Sequence, residues 1–131
     1  MKFPAMPECT NCGECCGPVT ARPEEHAKIE AFMERRGIKW VEHADALTCG
    51  FYQGGLCRIY PVRPAACRMY GVVKEMACPY FPEAVRLSFP PKAAIRSGLM
   101  NLNDKLLCES FAPDRGVRVV EALRAAVEEI T

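Results

Sequence analysis

The clearest periodic stretch lies at the C-terminal end. Over about Gly116 to Ile130, Val120, Leu123, Val127 and Ile130 recur at helical spacing. That spacing predicts an amphipathic helix with these four side chains as its core-facing stripe. Asp114 stands where its N-cap belongs. A second helix is predicted over Pro23 to Arg36. Pro23 suits a first turn, and Glu24 and Glu25 complement the positive end of the dipole. Ile29, Phe32 and Met33 form an apolar stripe that the stem of Arg36 extends. Gly37 follows as the natural C′ residue, with Ile38 placed to make the hydrophobic contact of such a stop.

Between the two helices the pattern changes. Thr48-Cys49-Gly50-Phe51-Tyr52 and Leu56-Cys57-Arg58-Ile59-Tyr60 flank Gln53-Gly54-Gly55. Two β-prone runs around a Gly-Gly pair read as a hairpin, ended by Pro61. Arg63 to Met69 reads as a short helical turn with Pro64 at its start. Cys78-Pro79-Tyr80-Phe81-Pro82 reads as a stiff connector, because both prolines fix φ. Leu99, Leu102, Leu106 and Leu107 predict a further helix over Leu99 to Leu107.

The chain has 131 residues, half of them apolar and a quarter charged. Such a composition supports a folded core and suits one domain. The formal net charge is +1, without the basic surplus a nucleic-acid binder needs, so no nucleic-acid partner is expected. No apolar run reaches the roughly 20 residues of a membrane span.

Cysteine changes the picture most. There are nine, an odd number, so complete pairing within the chain is impossible. Met1 to Glu8 shows no apolar export segment, which points to a reducing, cytoplasmic setting. In that setting a cysteine-dense chain binds metal or does redox work sooner than it forms disulfides. Eight of the nine lie within the first 78 residues. The expected organisation is one domain over 1–131, with a cysteine-rich metal-binding region at 9–82 and a helical flank at 83–131. The expected fold class is a small, α-rich α+β domain, stabilised by metal, with a short hairpin and flanking helices.

Cys9, Cys12, Cys15 and Cys16 form a C-x2-C-x2-C-C run. Each C-x2-C unit brings two thiolates to one centre through a tight turn. Neighbouring side chains in extended backbone point to opposite faces, so Cys15 and Cys16 do not chelate one ion together. They serve two sites, or one ligates and the other lies just outside. Single cysteines follow at Cys49, Cys57, Cys67 and Cys78. A compact run with remote singles is closer to iron–sulfur ligation than to paired zinc knuckles. The expected cofactor is therefore one or two 4Fe–4S clusters, with zinc as the alternative. One arrangement groups Cys9, Cys12, Cys15 and Cys78, and leaves Cys16, Cys49, Cys57 and Cys67 for a second site. Arg58, Arg63 and Arg68 stand among Cys57 and Cys67 and are placed to offset thiolate charge around the metal.

These residues resemble the YkgJ-type CxxCxxCC cysteine-cluster family, described as zinc- or iron-chelating. The resemblance rests on Cys9, Cys12, Gly13, Cys15, Cys16, Cys57, Ile59, Tyr60, Arg63, Pro64, Cys67 and Arg68. Cys49 and Cys78 extend it. It implies metal binding and fixes no reaction. Three functions follow as expectations: an iron–sulfur protein in electron transfer or in support of a partner enzyme, a structural zinc module, or a cluster-dependent enzyme. Cys108 lies outside the pattern and is expected as a small buried hydrophobe. His26 is expected in solvent among charges, and His43 in a loop, with metal ligation as its lesser alternative. Tyr60 and Tyr70 are expected to pack near the site. The sequence leaves oligomeric state and catalysis open.

Overall fold

The structure, a computed structural model, describes residues 16–99, 101 and 103–130. Helix α1 spans Pro23–Arg36, with the bounds its sequence predicts. Ile29 and Phe32 are buried on its inner face. Gly37 ends it at φ 66°, and the N–H groups of Gly37 and Ile38 both return to the Met33 carbonyl. Only glycine takes that left-handed position without strain. The Arg36 guanidinium lies 5.4 Å above the Phe32 ring, closing the stripe as expected.

The hairpin forms, in shorter strands than the two β-prone runs predict. β1 is Tyr52–Gln53 and β2 is Leu56–Cys57, paired antiparallel with Tyr52 opposite Cys57. Gly54 and Gly55 turn the chain at φ 61° and 80°, the sign pattern of a type I′ turn. Pairing stops there because Tyr60–Val62 coils into a 3-10 turn around Pro61. Helix α2, Ala65–Met69, follows with Pro64 as its N-cap.

Two corrections fall in the second half. The helix expected over Leu99 to Leu107 is absent as a unit. Instead α3 spans Pro91–Arg96 and α4 spans Leu107–Phe111. Between them, the Asn101 side chain accepts the Asn103 N–H at 2.9 Å and its carbonyl accepts the Asp104 N–H. This Asx turn outcompetes the leucine periodicity. Leu106 pairs with Thr20 in a β-bridge, and Leu107 N–H donates to the Val19 carbonyl at 3.0 Å. Pro-Pro before Lys-Ala-Ala-Ile-Arg was the readable signal for α3.

Helix α5, Val117–Ile130, is present, but its predicted stripe is not the buried one. Leu123, Val127 and Ile130 are 39%, 58% and 84% exposed, while Val119 is 7% exposed. The first turn fixes this rotation. Val119 packs with Cys108 and Ala112, and Arg118 bonds to the Glu42 carboxylate and the His43 carbonyl. Asp114 serves the turn before the helix, accepting the Gly116 N–H at 3.0 Å.

Among the described residues three apolar clusters hold these pieces. The first joins Ile29 and Phe32 to Phe51, Ile59 and Leu107. Phe51 is fully buried, with the Trp40 and Phe111 rings edge-on at 5.0 and 5.4 Å. Such pairs add about 1 kcal/mol each beyond area burial. The second gathers Met69, Val72, Val73 and Ala94. The third surrounds Cys108. Among the described residues no helix is long and apolar enough to cross a membrane.

Candidate metal centre

The described cysteines enter from separate pieces of backbone. The Cys49 N–H donates to the Cys16 carbonyl at 2.8 Å, so the last residue of the opening motif lies beside the start of the hairpin. The Cys49 carbonyl accepts the Tyr52 N–H, and Tyr52 faces Cys57 across β1 and β2. Cys16, Cys49 and Cys57 are thus strung across three neighbouring segments. Gly50 makes the corner: a Cβ there would sit inside the Trp40 indole. Burial pushes the Cys49 thiol up from 9.0 to about 11, and nearby Cys57 adds to the rise. A buried thiol beside another resists ionising until a cation replaces its proton.

Cys67 lies half-buried on α2, ten residues after Cys57. The intervening corner is clamped by arginines. The Arg63 guanidinium lies 3.8 Å above the Tyr60 ring centroid, donates Nε to the Tyr60 carbonyl at 3.2 Å, and reaches the Cys67 carbonyl at 3.4 Å. Arg68 pairs with Glu25 at 3.5 Å. Arg58 is exposed on the hairpin, where Gly54 leaves room beside its guanidinium.

Sequence reasoning placed Glu25 in the first turn of α1 and missed its link to α2. Glu25 is 8% exposed and joins two helix starts. One oxygen accepts the Arg22 N–H and pairs with its Nε. The other accepts the Ala65 N–H at 2.7 Å. A Glu in a first helical turn is the only local signal, and it speaks for the first oxygen alone.

Cys78 is buried just after the 3-10 turn Lys74–Met76. Cys108 is buried as expected, and burial raises its thiol too. A Cβ on Gly116 would meet its sulfur at 2.8 Å. His26 corrects its expectation: it is half-buried, stacked on Phe111 at 5.8 Å, with Nε2 3.1 Å from the Lys105 carbonyl. The Nε2 of His43 lies 2.7 Å from the Tyr52 carbonyl. Tyr60 is half exposed beneath Arg63, and Tyr70 is half-buried after α2.

Cys9, Cys12 and Cys15 lie outside the described residues. Among the described residues, no three Cys, His, Asp or Glu side chains converge closely enough to hold an ion. The donor chemistry nevertheless fits a soft-ligand metal. The hairpin corner brings together backbone segments that carry Cys16, Cys49 and Cys57, and Cys16 is the last cysteine of the opening run. Thiolate sets of this kind select zinc or iron over hard cations.

Fold and donor set together define a cysteine-rich, helix-rich α+β protein with a two-stranded sheet. Its cysteines and their flanking residues place it more closely. The sequence model of the CxxCxxCC family, described as "Putative zinc- or iron-chelating domain", matches residues 8–86, more than half of the chain. The chain belongs to this family. Neither a curated protein nor a solved structure matches it.

Proposed function

We propose that this protein carries one or two 4Fe–4S clusters and passes electrons to a redox partner or supports a partner enzyme. Cys9, Cys12, Cys15, Cys16, Cys49, Cys57, Cys67 and Cys78 are the ligands in this reading. The observation that carries it is the neighbourhood of Cys16, Cys49 and Cys57. Backbone hydrogen bonds and hairpin register bring the residue that ends the compact run next to two of the later singles. This favours Cys16, Cys49, Cys57 and Cys67 as one set, and leaves Cys9, Cys12, Cys15 and Cys78 as the other. A bound cluster supplies a one-electron couple. The protein's part is to keep Cys16, Cys49, Cys57 and Cys67 half-buried, hold Cys67 on the corner braced by Arg63, and place Arg58, Arg63 and Arg68 near negative charge. Such placement tunes metal affinity and potential. The whole chain acts as one domain in a reducing cytoplasm, where the thiols stay available.

A second reading is a structural zinc module, favoured by the family's own zinc-or-iron description. Anaerobic purification with metal and sulfide analysis separates the two. Iron and sulfide in near-equal amounts, with a broad visible absorption bleached by reductant, support the cluster. A colourless preparation replete in zinc and lacking iron overturns it.

A further inference from the structure

A cleft of about 120 Å³ lies between the first turns of α1 and the Tyr60–Val62 turn. Four cations line it: Arg22, Lys28, Arg63 and Arg68. Among the described residues two carboxylates, Glu24 and Glu25, line it beside them, which leaves two positive charges over. Glu25 is already committed to Arg22, Arg68 and the Ala65 N–H. Glu24 and Lys28 are exposed.

The guanidinium groups are set in place before any ligand arrives. Arg63 is held flat on Tyr60 and tied to the Tyr60 carbonyl. Arg22 and Arg68 each lean on a different oxygen of Glu25. Yet Arg68 is not saturated: among the described residues its Nε, sealed from water, has no acceptor. Three braced guanidinium forks and one exposed ammonium line the same small cleft. An anion with several acceptor oxygens relieves the repulsion among them and satisfies the outward N–H groups. Pre-positioned donors lower the ordering cost of binding. The cleft is well below the roughly 300 Å³ at which sites for whole cofactors begin, so it takes one small group.

We infer that this cleft binds a dianionic phosphate group, as free phosphate or as the head of a small phosphomonoester. Two surplus positive charges match a dianion. Arginine forks match its oxygens. The cleft shares Arg63 and Arg68 with the corner that carries Cys67, so metal content is followed alongside phosphate binding.

The test is calorimetric titration of the full chain as purified, at constant ionic strength, with inorganic phosphate and with glycerol phosphate. Metal content is measured before and after. Saturable one-to-one binding is expected, weakened about tenfold or more by Lys28→Gln and by Arg63→Gln. Lys28 is exposed, so Lys28→Gln is expected to keep the wild-type circular dichroism. Tighter binding of one titrant identifies free phosphate or the ester as the source, and either result supports the site. No saturable binding overturns the proposal. So does equal binding by wild type and both variants, or metal loss in step with phosphate addition.

Discussion

The carboxylate of Glu25 accepts the Ala65 N–H at 2.7 Å, across forty residues of chain. That bond makes one buried side chain the N-terminal anchor of both α1 and α2. Cys67 and Arg68 lie within α2, so the orientation of a proposed ligand depends on a carboxylate outside the hairpin. Glu25→Ala removes the acceptor for a buried N–H and leaves Arg68 without its counter-charge. The expected loss is about 2–3 kcal/mol. Glu25→Gln keeps one acceptor and loses roughly half as much. Urea midpoints measure both, and a midpoint unmoved by Glu25→Ala would remove the anchoring role.

Metal uptake is expected to release protons. Burial raises the Cys49 thiol to about 11, so without metal it keeps its proton at neutral pH. A metal must displace that proton, and apparent affinity therefore falls as pH falls. The dependence extends up to about pH 11, where the thiol ionises unaided. Each unit of acidification weakens binding up to about tenfold for every proton displaced. Cys49→Ser should lower the number of protons released by about one. Chelator competition at several pH values reads this directly, and an unchanged slope in the variant argues that Cys49 is not a ligand.

Cysteine substitutions should separate the proposed ligands from a packing cysteine. Cys12→Ser is expected to lose metal and solubility, because it removes a thiolate from the opening run. Cys108→Ser is expected to retain metal. Its cost is in packing, since Cys108 sits buried against Ala112, Val119 and Gly116. Metal analysis of the two purified variants decides the matter, and equal loss in both would defeat the assignment.

Rotation of α5 gives a check on the fold itself. Val119→Ala opens space in the cluster around Cys108 and should cost about 2 kcal/mol. Leu123→Ala, on the exposed side, should change stability by less than about 0.5 kcal/mol. Thermal or chemical unfolding of both variants compares them. A larger loss at Leu123 would mean that the stripe read from periodicity is the buried one after all.

The sequence by itself determined the elements whose instructions are local. Pro23 and Gly37 bracket α1 because one starts a helix and the other reverses the backbone where it ends. Gly54-Gly55 sets the hairpin because both residues must take positive φ. The cysteine spacing marked the family, since metal ligation is written in residue type and interval. Tertiary structure decided what depends on competition between distant groups. The leucines near 99–107 lost their helix to an Asn101 turn and to pairing with Thr20 and Val19. The stripe of α5 was turned outward because Arg118 and Val119 found partners that periodicity cannot see. His26 left solvent for Phe111, and Glu25 spent its second oxygen on α2. In each case a local preference worth a fraction of a kcal/mol yielded to burial and hydrogen bonding between segments far apart along the chain.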